Sequence, residues 1–141
     1  MSYNLNGQCM CGAVTATATT SAPDLRACHC EMCRRQNSFA FVSIQADQQS
    51  IVIDGDMTVF KSSPWAQRAF CATCGSTIWY GMQTDTHRNL SAGLFGKTAD
   101  VLVQEYFVDE RILGAGFDGT HQKLTQDETF ALYAPSEGEP K

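Results

Sequence analysis

Seven cysteines fall into three tight groups: Cys9-Met10-Cys11-Gly12, Cys28-His29-Cys30-Glu31-Met32-Cys33, and Cys71-Ala72-Thr73-Cys74-Gly75. No cysteine lies between the groups. Thiolates clustered in this way suit a metal ion, and zinc in particular takes sulfur ligands at about 2.3 Å in a tetrahedral shell. Two cysteines separated by two residues can curl round one ion, and a following glycine relieves the backbone at the turn. Cys71 and Cys74 fit that knuckle, and the tighter pair Cys9 and Cys11 can reach one ion from a bent segment. Other uses of the thiols fit less well. Disulfides would leave an odd thiol. A redox Cys-x-x-Cys needs a strand leading into a helix, and ferredoxin-type spacings are absent.

Seven divides into four and three. The pairs Cys9/Cys11 and Cys71/Cys74 combine into a closed, four-thiolate structural site. The triplet Cys28, Cys30 and Cys33 is contiguous and could hold a second ion alone, leaving one position open for water or a substrate thiolate. Mixed groupings of triplet and pairs remain open on spacing alone. An open zinc with three thiolates favours a soft fourth ligand and would deprotonate a substrate thiol, which could then attack an aldehyde carbon. Arg34 and Arg35 directly follow the last ligand. They are candidates to hold the oxyanion or a substrate carboxylate, and otherwise they neutralise the thiolates or pair with surface acids. His29 or a carboxylate could instead complete the triplet as a second structural zinc; otherwise His29 is expected to turn away from the metal, toward solvent or a supporting contact. Trp65, Trp79 and Phe60 are expected in core or rim packing.

The elements that must position these groups read as short strands. Val14 to Thr20 alternates with period two, and Phe39 to Ala46 puts Ala40, Val42 and Ile44 on one face. Ile51-Val52-Ile53, the turn pair Asp54-Gly55, and Met57 to Phe60 read as a hairpin. Further strands are expected at Ser76 to Tyr80, Val101 to Val108 and, more weakly, Asn89 to Leu94. Short helices are expected near Glu31 to Gln36 and after Thr125. The predicted fold is mainly β and antiparallel, a single domain over 1–134 with a Pro- and Glu-rich tail at 135–141.

Composition agrees with one ordinary globular domain: 141 residues, 43% apolar, 18% charged, net charge -5. The acidic balance argues against nucleic acid and anionic membrane surfaces as partners. No apolar run approaches a membrane span and no secretory signal is visible, so a cytoplasmic location is expected, where thiols stay reduced or bind metal.

At the three cysteine groups the chain resembles the glutathione-dependent formaldehyde-activating enzyme family, which also includes centromere protein V. The matching segments are Gly7-Gln8-Cys9-Met10-Cys11-Gly12-Ala13-Val14, Cys28-His29-Cys30-Glu31-Met32-Cys33-Arg34-Arg35 and Phe70-Cys71-Ala72-Thr73-Cys74-Gly75-Ser76. The resemblance implies a β-tent fold and two zinc ions per chain. Cys9, Cys11, Cys71 and Cys74 would surround the structural zinc, and Cys28, Cys30 and Cys33 the catalytic one. It implies a carbon–sulfur lyase joining glutathione, or a similar thiol, to formaldehyde or another small aldehyde. The alternative is a non-enzymatic, zinc-stapled scaffold that binds a ligand or a protein. The chain departs from similar proteins in three places. Ser38 stands where they usually carry glycine, and Gln104-Glu105-Tyr106 stands where many have a histidine. Arg111-Ile112-Leu113-Gly114 lacks a frequent tryptophan.

Overall fold

A computed structural model describes residues 2–96 and 101–134; the expected tail at 135–141 lies outside the described residues. The chain order is β1 (Tyr3–Gln8), β2 (Thr15–Thr20), β3 (Asp24–Cys28), α1 (Glu31–Asn37), β4 (Phe41–Ile44), β5 (Val52–Asp54), β6 (Met57–Phe60), β7 (Ala66–Cys71), β8 (Thr77–Met82), β9 (Arg88–Ser91), β10 (Val101–Tyr106), β11 (Gln122–Lys123) and α2 (Gln126–Tyr133). The protein is mainly β, a single domain with two α-helices among the described residues. No described helix is long and apolar enough to cross a membrane.

Two sheets form. The smaller runs β1-β2-β5 and the larger β11-β10-β3-β4-β9-β8-β7-β6. The period-two pattern of the second strand decides how they stack. Ala16, Ala18 and Thr20 of β2 are buried, while Thr15 and Thr17 face out. The inward face of the small sheet, with Leu5, Ala16 and Ala18, packs on Ile44, Ala69, Ile78, Trp79 and Leu90 of the large one. Most pairings are antiparallel, as expected. The exceptions are β10 with β3 and β10 with β11, both parallel.

The expected hairpin at Ile51 to Phe60 does not form. β5 pairs with β2 in the small sheet, whereas β6 pairs with β7 in the large one. Asp54-Gly55 is thus a corner between sheets. Gly55 has φ 122°, and a Cβ there would collide with the Ala13 carbonyl oxygen. The turn pair marks a real turn, but its two arms go to different partners, which local sequence does not encode.

This corner and the cysteine turns join the sheets. Cys9 and Cys11 lie in the turn between β1 and β2 of the small sheet, while Cys71 ends β7 and Cys74 lies in the turn from β7 to β8 of the large one. Cys28 ends β3, Cys30 caps α1, and Cys33 lies in its first turn.

Candidate metal centres and the adjoining cavity

The fold gathers the cysteines into two clusters, Cys9/Cys11/Cys71/Cys74 and Cys28/Cys30/Cys33. Within each cluster the ligand sulfurs lie within 4.8 Å of one another. In the first, Cys9 and Cys11 Sγ are 3.6 Å apart and Cys11 and Cys71 Sγ are 3.8 Å apart. Those separations fit the edge of a tetrahedron with sulfur at 2.3 Å from its centre, about 3.8 Å, and are far too long for a disulfide at about 2.0 Å. Backbone donors already point at this nest. The Val14 N–H donates to Cys9 Sγ at 3.2 Å, and the Thr73 and Cys74 N–H groups both donate to Cys71 Sγ at 3.4 Å. Hydrogen bonds from the Ser76 hydroxyl and backbone hold the Cys74 thiol down at about 5. The donor set fits a metal ion.

The triplet is built by a strand end running into a helix. Cys30 Sγ accepts the Cys33 N–H at 3.4 Å, closing the first turn of α1. The three sulfurs compete for one negative charge. Hydrogen bonds from Cys28 and Cys33 hold Cys30 down at about 2, whereas Cys28, facing Cys30 and Cys33, is pushed well above the usual thiol range. Cys28 draws Cys33 down, but the Cys30 sulfur and burial outweigh that and set it at about 11. Such competition is what a shared cation relieves, so this donor set also fits. Among the described residues, no fourth cysteine, histidine or carboxylate joins the group.

The cation at the triplet is Arg68, on β7. It is 5% exposed, and its Nη2 lies 3.4 Å from Cys33 Sγ. Its Nη1 donates to Gln36 Oε1 at 2.9 Å, and its guanidinium sits 4.9 Å from the centre of the Tyr80 ring. Burial would lower the Arg68 pKa, but the Cys33 and Cys30 sulfurs raise it. Burial pushes Tyr80 up to about 12 against the pull of Arg68, so its hydroxyl stays protonated. Arg34 and Arg35 sit elsewhere: Arg34 Nη1 donates to the Glu110 carbonyl at 3.3 Å, and Arg35 pairs with Glu31 at 2.7 Å on the open surface. The cause is helical geometry. Cys33 faces inward, so the next two positions are turned about 100° and 200° from it. Arg68 was hidden from sequence reading because the alternation of β7 breaks at Arg68 and Ala69, which are both buried.

His29 turns away from the sulfurs, as expected, but into the interior rather than to solvent. It is fully buried, and its Nε2 lies 2.6 Å from Glu105 Oε2. Glu105 is also fully buried and collects Arg111 at 2.9 Å and His121 at 2.7 Å on its other oxygen. Burial would raise the Glu105 carboxyl; the hydrogen bonds from His121, Arg111 and His29 outweigh it and hold it at about 2. This network ties β10 and the segment after it to the residue between two triplet cysteines. Of the aromatics, Trp79 is in the core and Phe60 is 61% exposed. Trp65 lines a cavity of about 520 Å³ whose floor includes Cys28, Cys30, Cys33 and Arg68.

A family model described as glutathione-dependent formaldehyde-activating enzyme matches residues 4–107. The chain belongs to this family. An uncharacterized lyase of Schizosaccharomyces pombe is 35% identical over 75 residues, covering 52% of this chain. The match spans 55% of that relative, so the chain aligns with about half its length. A crystal structure of a Rhodobacter sphaeroides protein shares the fold with a TM-score of 0.53 at 22% identity, covering 63% of this chain and 85% of that one. The family segment contains both cysteine clusters, Arg68 and Glu105; α2 lies beyond it.

Proposed function

We propose that this family member is a zinc-dependent carbon–sulfur lyase that joins a thiol such as glutathione to an aldehyde, in a reducing cytoplasm. The observation that carries the reading is the three-sulfur triplet on the floor of a cavity, with no fourth ligand among the described residues. The four-cysteine cluster, which bridges the two sheets, would hold a second zinc with a structural role.

Cys28, Cys30 and Cys33 would hold the zinc, which would supply Lewis acidity able to bind and acidify a thiol. The chain's own residues do the rest. Arg68 places a permanent positive charge at the sulfurs and lowers the cost of gathering thiolates in a buried site. Tyr80, on the cavity wall and protonated across the physiological range, is the candidate donor to the oxygen of the developing adduct. The aromatic walls exclude water and keep these interactions strong. The S. pombe relative's description as a lyase supports the reaction class. Arg34 and Arg35 take no part in this scheme, because neither lines the cavity.

Zinc-edge X-ray absorption with and without glutathione, alongside turnover of thiol and aldehyde pairs, tests the proposal. Thiol addition should raise the average sulfur count at zinc, and at least one pair should be turned over. An unchanged coordination shell and no turnover would replace the enzyme by the zinc-stapled scaffold.

A further inference from the structure

The cavity beside the triplet is far larger than formaldehyde needs. It measures about 520 Å³, within the roughly 300–1,000 Å³ of ordinary small-molecule sites. A water molecule occupies about 30 Å³ of the liquid, and formaldehyde has only two heavy atoms. Most of the wall surface is apolar, from Phe41, Trp65, Met82, Phe107 and Phe130, while Glu31, Asp85, His87 and Asn89 add polar positions. The arginines that reach it are largely engaged, with the buried Arg68 Nε left without a partner among the described residues. Arg26 donates to Gln104 at 2.7 Å and Gln45 at 2.8 Å, and Arg68 to Gln36 and Cys33. The charged body of a peptide thiol would lose hydration here without adequate replacement. An apolar body would gain.

One wall is supplied by α2. Gln126, Thr129, Phe130 and Tyr133 line the cavity, a spacing of three and four that marks one helix face, and Ala134 follows at the helix end. The helix starts from a capping box at Thr125 and Glu128. Two edge-on ring pairs fix it to the end of β10: Tyr106–Tyr133 with centres 5.3 Å apart, and Phe107–Phe130 at 5.4 Å. The Phe107 N–H also donates to Thr129 Oγ1 at 3.4 Å. Phe107 is held at φ 58°, a left-handed conformation that a bulky residue adopts only when its surroundings demand it. All of α2 lies after residue 107, where the family segment ends.

We infer that the triplet acts on an aldehyde whose non-reacting part is apolar and at least the size of an aromatic ring, and that α2 sets this preference. The inference rests on the enzymatic reading of the triplet. In the reaction, the thiol sulfur bonds to the carbonyl carbon and the C=O π bond opens. The oxygen takes up the proton that the thiol gives up, so no oxidant or reductant is needed. The thiol's charged portion stays toward the cavity mouth while the aldehyde's body fills the aromatic chamber.

The test uses the full, zinc-loaded chain with glutathione and either formaldehyde or phenylacetaldehyde, each rate divided by its uncatalysed rate. The rate enhancement in kcat/KM should be at least about tenfold greater for phenylacetaldehyde, since a single well-packed methylene is worth roughly 10–200-fold. Phe130→Ala, which opens the wall, and Ala134→Trp, which fills the chamber, should each narrow that ratio by about tenfold at unchanged zinc content. A parent ratio at or below one, or variants that leave it untouched, would overturn the inference. A separate readout covers the case in which no pair turns over. The unreactive 2-phenylethanol should change tryptophan fluorescence saturably while methanol does not, and both variants should weaken that binding. Binding without turnover would remove the lyase reading and keep the apolar ligand; no binding and no turnover would remove both.

Discussion

Arg68 Nη2 lies 3.4 Å from Cys33 Sγ although the two residues are 35 positions apart. A buried guanidinium is thus the counter-charge of the triplet, and the paired arginines next to Cys33 in sequence are not. Arg68→Gln should lower kcat/KM by about 100-fold, the scale of removing one preorganised charge partner. Zinc content should stay at the parent value. Arg34→Ala and Arg35→Ala should each stay within about threefold, because the one leans on a carbonyl and the other on an exposed acid. Steady-state kinetics with metal analysis reads both. Equal losses at all three arginines would contradict the assignment.

The two cysteine clusters should respond differently to loss of one ligand. Cys71→Ser removes a ligand that is 1% exposed in the core between the sheets. It should give little soluble protein, because binding free energy at such a site is folding free energy. Cys30→Ser should stay folded, by circular dichroism, and carry one zinc ion fewer. A Cys71→Ser protein that melts like the parent with its zinc intact would show that the closed site does not staple the sheets.

Much of this division was legible in the cysteine spacing, because ligand sets concentrate in short loops and spacing measures what a loop can wrap. The strand at Val14 to Thr20 was legible too, since its alternation of small and β-branched residues matches its burial. β3 and β7 were not. Asp24–Cys28 and Ala66–Cys71 each carry an arginine in a short, mixed run. Only the finished fold supplies partners for those charges: Gln104 and Gln45 for Arg26, and Gln36 and the Cys33 sulfur of α1 for Arg68. The Glu105 network was illegible for the same reason. A lone Glu, two His and an Arg look like surface residues until the pairing of β10 with β3 brings them together.

Glu105→Gln should be among the most destabilising single changes outside the cysteines, by about 3–5 kcal/mol, because it leaves buried donors without their counter-charge. The pH dependence has a definite sign. The Glu105 carboxyl is depressed from 4.5 to about 2. Its stabilisation is therefore fully present above about pH 4.5 and is lost as pH falls toward 2. Between pH 5 and 3 the parent should lose more stability than Glu105→Gln does, in denaturant titrations at matched zinc loading. Parallel losses would show that the carboxylate is not the acid-sensitive group.

Ser38 caps α1 at φ 71°, in the left-handed region where glycine carries no side-chain penalty. Ser38→Gly should raise stability by about 1 kcal/mol, visible as a higher Tm, with no change in zinc content. A lower Tm would mean that the serine hydroxyl compensates for its backbone.

The parallel pairing of β10 with β3 has a consequence for how the protein is made. His29 waits for Glu105, 76 positions later in the chain. At about 5–20 residues per second, a ribosome takes roughly 4–15 seconds to cover that stretch. The three thiols between Cys28 and Cys33 therefore leave the exit tunnel ahead of the strand that closes over their neighbour by that same interval. A nascent chain in that interval offers a reduced, flexible thiol triad to whatever metal or oxidant is at hand. The order of synthesis therefore completes the triplet's set of thiols before that of the four-cysteine cluster, whose Cys71 and Cys74 come later, and closes over the triplet last.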